Sequence, residues 1–118
     1  EAPVSGAFAL RVQGDSMTPD YREGDLIVVG PGEVRDGDDC VIRLSEAEDY
    51  ATTFKRVFFV RDDQGQPTAV RLVPLNQAHP ERQVDLSEIS GMYPLLYRLI
   101  PRRGSKPAPI KPSERIKS

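Results

Sequence analysis

The fold is decided by the stretch Phe8-Ala9-Leu10-Arg11-Val12-Gln13-Gly14-Asp15-Ser16-Met17, which begins close to the start of the sequence. Its apolar residues Phe8, Leu10 and Val12 alternate with Ala9, Arg11 and Gln13, and alternation with a period of two predicts a half-buried strand. Gly14 then predicts a turn. Farther along, Leu26-Ile27-Val28-Val29 is an unbroken apolar run, short enough for a buried strand.

The rest of the chain also contains short segments whose composition predicts strands. Further strands are predicted at Cys40–Leu44, Thr53–Arg61, Thr68–Pro74 and Ile89–Ile100, the last interrupted near Pro94. Thr18 as N-cap and Pro19 predict a short helical turn through about Arg22, and residues 75–88 are polar and predicted to be irregular. Because no amphipathic stretch is long enough for a major helix, we expect a mainly β fold, a folded-over antiparallel sheet or partial barrel.

Length and composition restrict the class of protein. The chain has 118 residues, 38% apolar and 29% charged, typical of one soluble domain. A single cysteine, Cys40, excludes an internal disulfide and fits a reducing compartment, so we expect a cytoplasmic protein. One cysteine and one histidine, His79, leave no zinc or iron–sulfur spacing, so we expect no cofactor and no metal. No apolar run reaches the length of a membrane span.

Charge and proline divide the chain into three parts. We predict an N-terminal arm over 1–7, a folded domain over 8–100, and a basic, Pro-rich tail over 101–118 that we expect to be flexible. Residues 1–100 hold ten basic and seventeen acidic side chains, whereas 101–118 hold six basic side chains and one acid. The acidic domain is therefore a poor nucleic-acid binder by itself, because phosphate contacts need clustered Lys and Arg.

Ser16 and Lys55 are the candidate catalytic pair. Lys55 is the only lysine among the first 100 residues, although arginine occurs there nine times. A proton acceptor has to be lysine, because arginine keeps its proton near neutral pH. Lys55 lies within an apolar strand, where burial disfavours the ammonium form and lowers the pKa, and a neutral lysine can take the proton of a serine hydroxyl.

Each residue also has an ordinary structural interpretation. A serine in a Gly-Asp-Ser-Met turn is usually a turn or capping residue, and a lysine on a strand usually extends its ammonium to water. Local chemistry alone leaves these interpretations open beside the catalytic one.

Several motifs, in order along the chain, resemble the peptidase domain of the LexA-like family, which includes self-cleaving phage repressors and UmuD. The resemblance starts with the stretch that contains Ser16, and it covers residues 8–100. The later segments that carry it are Gly24-Asp25-Leu26-Ile27-Val28-Val29, Val34-Arg35-Asp36-Gly37-Asp38, Val41-Ile42-Arg43-Leu44, Thr53-Phe54-Lys55-Arg56-Val57 and Leu72-Val73-Pro74-Leu75-Asn76.

The resemblance implies roles for individual residues. Ser16 would be the nucleophile and Lys55 the general base of a Ser-Lys serine peptidase. The backbone amides of Asp15 and Ser16 would form the oxyanion hole, and Met17 would help to shape the groove. Relatives fold as a mostly β domain and cut their own chain at a small-residue–Gly bond when a RecA–single-stranded-DNA filament stabilises the cleavable conformation, which separates this domain from an N-terminal DNA-binding domain.

The position of the scissile bond differs from that pattern. In the family the bond lies some tens of residues before the serine, but only fifteen residues precede Ser16 here, and we expect Ser5-Gly6 to be too close to fold back into the site. We therefore expect the chain to resemble a cleaved product or an excised domain. It would serve as the regulatory domain of a transcriptional repressor in a DNA-damage (SOS) response. The alternatives are a non-cleaving dimerisation module and a UmuD-like subunit of an error-prone polymerase.

The last apolar stretch predicts a homodimer. It carries more apolar side chains than one face of a single strand can bury, so part of it should meet a second copy of the chain. The residues predicted to form this dimer surface are Met92, Tyr93, Tyr97 and Leu99.

Overall fold

The computed structural model describes residues 6–45, 52–99 and 115–117, and these residues form eight strands. The strands are β1 (Phe8–Gln13), β2 (Leu26–Val29), β3 (Asp39–Leu44), β4 (Thr52–Arg61), β5 (Pro67–Val73), β6 (Arg82–Asp85), β7 (Ile89–Leu99) and β8 (Arg115–Lys117). One 3-10 turn, Leu86–Glu88, joins β6 to β7. The mainly β class predicted from the sequence is confirmed.

The first seven strands form one antiparallel sheet that is curled as a half-barrel. Their order across the sheet is β1-β2-β7-β3-β4-β5-β6, and each neighbouring pair is antiparallel. The curl brings β1 and β4 to opposite sides of a gap, and β8 lies in that gap, parallel to both. This curl places the end of β1, which leads to Ser16, beside the start of β4, which carries Lys55.

Apolar side chains pack into two clusters on the two faces of the sheet. The first contains Leu10, Val12, Met17, Tyr21, Ile27, Val29, Val41 and Phe54, and the second contains Cys40, Ile42, Leu44, Val57, Val70, Leu72 and Val84. Strand β3 contributes to both clusters, because Val41 points to the first while Cys40 and Ile42 point to the second. Strand β4 does the same through Phe54 and Val57. The strand of Lys55 is therefore held from both faces.

Pro94 does not interrupt the last strand, which runs unbroken from Ile89 to Leu99. Pro94 lies opposite Cys40 at the end of the pairing with β3, and the next residue, Leu95, pairs with Val29 of β2. The position without an N–H group thus falls where β7 changes partners, so the missing donor does not break either ladder.

Two other local expectations were wrong. The segment after Met17 forms turns and no helix, and Thr18 Oγ1 donates to the Asp15 carbonyl. Residues 75–88 are not wholly irregular, since they contain β6 and the 3-10 turn. Of the four residues of β6 only Val84 is buried, so the segment lacks the apolar alternation that predicts a strand.

Candidate active site

Ser16 and Lys55 lie within hydrogen-bond distance of each other. Ser16 follows β1 in a tight turn, and Lys55 is on β4, where it pairs with Cys40 of β3. Lys55 Nζ donates to Ser16 Oγ at 3.0 Å, to Thr53 Oγ1 at 2.9 Å and to the Phe54 carbonyl at 3.3 Å. The separation of the two catalytic candidates is within the range that proton transfer from serine to lysine requires.

The turn that carries Ser16 is held by the loop after β5. The Asn76 amide N–H donates to the Ser16 carbonyl at 2.9 Å, and Asn76 Nδ2 donates to the Asp15 carbonyl at 3.1 Å. Thr18 Oγ1 donates to the same Asp15 carbonyl at 2.8 Å. His79 Nε2 lies 2.7 Å from Asp15 Oδ1. These contacts fix the backbone on both sides of the Ser16 Cα.

The contacts above use the carbonyl groups of Asp15 and Ser16 and not their N–H groups. Among the described residues, no acceptor receives the N–H groups of Asp15 and Ser16. Free N–H groups beside a nucleophile are the donors from which an oxyanion hole is built. Met17, the next residue, is fully buried in the first cluster and supports the turn from inside.

A buried polar network around Asp39 holds the loop between β1 and β2 at Tyr21, five residues after Ser16. Asp39 accepts hydrogen bonds from the Tyr21 hydroxyl, from Arg56 Nε at 2.8 Å and from Arg56 Nη2 at 3.1 Å. Tyr21 N–H in turn donates to the Met17 carbonyl at 2.9 Å. Arg56 follows Lys55 on β4. The network therefore joins the serine loop, which is residues 14–25 between β1 and β2, to the lysine strand β4. Burial, reinforced by Asp39, raises the pKa of Tyr21, and the hydrogen bond to Asp39 raises the pKa of Arg56.

A cleft of about 270 Å³ opens beside Lys55. It is mainly apolar, and its lining residues are Leu44, Thr52, Thr53, Lys55, Leu72, Pro80 and Arg82. A larger cleft of about 410 Å³ is lined partly by Gly32 and Pro94 and contains neither Ser16 nor Lys55. Lys55 thus borders the smaller cleft, and Ser16 is not among its lining residues.

Ser16 itself is almost completely covered, with 1% of its surface exposed. A carbonyl carbon has to approach Oγ closely for attack, so the groups that cover Ser16 must move before a peptide reaches it.

Cys40 and His79 do not form a second catalytic pair. Cys40 is fully buried in the second cluster, and burial raises the pKa of its thiol to about 12. A thiol with that pKa is a poor source of thiolate near neutral pH. His79 is partly exposed and contacts Asp15 instead.

The residues of the predicted dimer surface are divided between core and solvent. Tyr97 is 50% exposed and Leu99 is 43% exposed. Met92 packs against the second cluster, and Tyr93 packs against the first with an edge-on contact to Phe8 at 5.3 Å between ring centroids. Only the end of β7 thus offers large exposed apolar side chains in the described part of the chain.

Four residues of the site were not found from the sequence: Thr53, Asn76, Asp39 and Arg56. Asn76 stands in a segment that carries the family resemblance, which was the available signal. Asp39 directly follows Asp36-Gly37-Asp38, a position typical of an exposed turn residue, yet its side chain is 8% exposed and paired with Arg56. The partner of a buried carboxylate depends on tertiary contacts that no local pattern encodes.

Comparison with known families decides the class of the domain. The family described as Peptidase S24-like matches residues 2–92, which is most of the chain. The chain belongs to this family. The LexA/UmuD-like resemblance stated from the sequence is thereby confirmed, and an S24-like domain is of the serine peptidase kind. No curated protein matches the chain.

Two further features of this S24-like domain concern metal ions and membranes. In the described ranges no group of three or more His, Cys, Asp or Glu side chains is arranged to hold a metal ion. No helix in the described part of the chain is long and apolar enough to cross a membrane.

Proposed function

We propose that this S24-like domain is the C-terminal regulatory domain of a bacterial or phage transcriptional repressor and cleaves its own polypeptide through Ser16 and Lys55. The observation that carries the proposal is the 3.0 Å contact between Lys55 Nζ and Ser16 Oγ in a chain of this family. The alternatives, a non-cleaving dimerisation module and a UmuD-like polymerase subunit, share the same domain. They differ from the proposal in whether the pair reacts and in which partner the domain serves.

Lys55 Nζ donates to three acceptors, as an ammonium does, so to act as a base it must first lose the proton that it donates to Ser16 Oγ. The resulting amine has two N–H bonds and one lone pair, and its neighbours include two acceptors, Thr53 Oγ1 and the Phe54 carbonyl, besides Ser16. With its hydrogens directed to those acceptors, the lone pair would face the Ser16 hydroxyl. Thr53 would thereby orient Nζ toward the nucleophile.

The proposed reaction begins with attack by Ser16. Lys55 Nζ takes the proton from the Ser16 hydroxyl while Oγ bonds to the carbonyl carbon of the scissile peptide, and the N–H groups of Asp15 and Ser16 stabilise the resulting oxyanion. The lysine ammonium then gives its proton to the leaving amine as the C–N bond breaks. Water attacks the acyl-serine in the same way, with Lys55 as base, and releases the free serine.

The experiment that tests this chemistry adds an extended peptide with an Ala-Gly bond to the purified protein from pH 6 to pH 10 and measures cleavage by mass spectrometry. We expect the rate to rise with pH as Lys55 loses its proton. Lys55→Arg should abolish cleavage because arginine stays charged. Ser16→Ala should abolish it as well, whereas the matched variant Ser90→Ala should cleave normally. A Lys55→Arg protein that cuts at the unsubstituted rate would refute the assignment.

The proposed biological setting follows from the family resemblance. The domain would act in the cytoplasm as a homodimer, in a DNA-damage (SOS) response induced by a RecA–single-stranded-DNA filament, and would meet DNA only through a separate N-terminal domain. The exposed Tyr97 and Leu99 at the end of β7 support the dimer, since large exposed apolar side chains favour a protein contact. Sedimentation at micromolar concentration tests this, and a monomer would contradict it.

A further inference from the structure

Strands β1 and β4 face each other across a gap one strand wide. On one side β1 pairs with β2, and on the other it pairs with β8. At its start β4 pairs with β3 on one side and with β8 on the other. Neighbouring strands lie about 4.8 Å apart, so without β8 the two open edges would be separated by about 10 Å. Two such edges form a slot for one extended peptide segment.

The direction of β8 leads toward the candidate pair. It runs parallel to both neighbours, and Lys117 is level with Gln13 of β1 and Thr53 of β4. Ser16 lies three residues beyond Gln13, and Lys55 lies two residues beyond Thr53. A peptide that follows the course of β8 through the slot would therefore carry its next peptide bonds alongside the serine and the lysine.

Ser16 is covered in the structure in which β8 lies between β1 and β4. Its exposure of 1% excludes a substrate carbonyl from Oγ in this arrangement. Charge favours an intramolecular occupant, because residues 101–118 have six basic side chains and one acid, whereas residues 1–100 have a large excess of acids.

We propose that Arg115–Lys117 occupies the slot in which a substrate segment adds as a strand, so that the basic tail competes with the substrate for the Ser16–Lys55 pair. The occupant that displaces it is an extended peptide running parallel to β1 and β4. This inference rests on the proposed function, because it identifies where that function's substrate binds and how access is controlled.

Binding of a peptide tests the competition without relying on the chemistry. In the full chain carrying Ser16→Ala, the affinity for a fluorescent extended peptide with an Ala-Gly bond is measured with and without Ile116→Pro. Proline in the middle of β8 removes a ladder N–H group and disrupts pairing. If β8 fills the slot in about nine-tenths of the molecules, freeing the slot should strengthen binding about tenfold. Ile116→Val, which keeps the N–H group, is the matched control, and it should leave the affinity unchanged.

Hydrogen exchange shows independently whether β8 is displaced. Val12 donates its N–H to Asp25 beside β2, so the N–H groups of Arg11 and Gln13 point to the β8 side. Ile116→Pro should speed exchange at Arg11 and Gln13, while the amide of Val41 stays protected and shows that the domain remains folded.

Each result bears on the proposal. Tighter peptide binding together with faster exchange in Ile116→Pro supports it. Equal affinity in all variants, no peptide binding by any variant, or unchanged exchange at the β1 amides overturns it. Failure of the chemistry is visible separately, because an Ile116→Pro protein that retains Ser16 and binds the peptide without cutting it contradicts the proposed peptidase function and leaves the competition established.

Discussion

Replacing Tyr21 by phenylalanine removes one hydroxyl from the network that joins the serine loop to the lysine strand. That hydroxyl donates to the Asp39 carboxylate, whose side chain is 8% exposed. A hydrogen bond to a charged group contributes about 1.5–3 kcal/mol, and Arg56 still binds the same carboxylate in the variant, so we expect the lower end, about 1.5–2 kcal/mol. Phenylalanine keeps the ring that packs edge-on against Phe54 at 4.9 Å and lies under Arg98 at 4.7 Å.

The pH dependence of this loss has a definite sign. Burial, followed by the contact with Asp39, raises the pKa of Tyr21 in the folded state above its unfolded value of about 10. The contribution of the hydroxyl to the free energy of unfolding is therefore complete below about pH 10 and is lost as the unfolded chain ionises above that pH. The difference between the unsubstituted protein and Tyr21→Phe should shrink as the pH rises above 10.

Urea unfolding followed by circular dichroism measures both effects, and Tyr97→Phe is the matched control. Tyr97 is half exposed, so removing its hydroxyl should change the free energy of unfolding by less than about 0.5 kcal/mol. Equal losses for the two variants at pH 7 would refute the argument that the Tyr21 hydroxyl stabilises a buried carboxylate.

Three other predictions concern packing, reactivity and the serine loop. Gly91→Ala should destabilise the domain by about 1–3 kcal/mol in urea unfolding, because its new Cβ would lie 2.6 Å from the Tyr93 hydroxyl. Gly32→Ala, where the nearest atom is 3.5 Å away, should be nearly neutral, and a cost as large as that of Gly91→Ala would contradict this reasoning. Cys40, with its pKa raised to about 12 by burial, should resist iodoacetamide at pH 8 until denaturant is added; rapid labelling of the native protein would show that the thiol is accessible. Asn76→Ala removes the Nδ2 donor to the serine loop and should slow peptide cleavage with little change in the urea midpoint; an unchanged rate would exclude a positioning role.

The strands that alternate apolar and polar residues could be predicted from the sequence, since burial of one face determines the pattern. Strand β1 follows this rule, with Leu10 and Val12 buried and Gln13 exposed. Strand β6 does not, because only Val84 is buried, and its pairing with β5 supplies the structure that its composition does not predict. Strand β8 lies in a Pro-rich tail whose composition predicts flexibility, and only the facing edges of β1 and β4 explain a strand there.

The candidate pair could be predicted for a different reason. Lys55 is unique among the first 100 residues, and Ser16 lies in a motif that carries the family resemblance, so the amino-acid sequence alone identifies both. Their supporting contacts could not be predicted. Asn76 and His79 reach Asp15 across more than sixty residues of sequence, and a polar loop residue has no periodicity that identifies its partner.

The position of β7 in the sheet has a consequence for the timing of synthesis. Strand β7 lies between β2 and β3 in the sheet. Within the described sheet, the β1–β2 hairpin that contains Ser16 is therefore joined to β3 and β4, the strand of Lys55, only through β7 and β8. Both are encoded late in the chain. A polypeptide emerging from the ribosome therefore cannot complete the sheet that aligns serine and lysine until Leu99 has been made. Under the proposed self-cleavage, this order of assembly would delay the ability to cut until the domain has been translated.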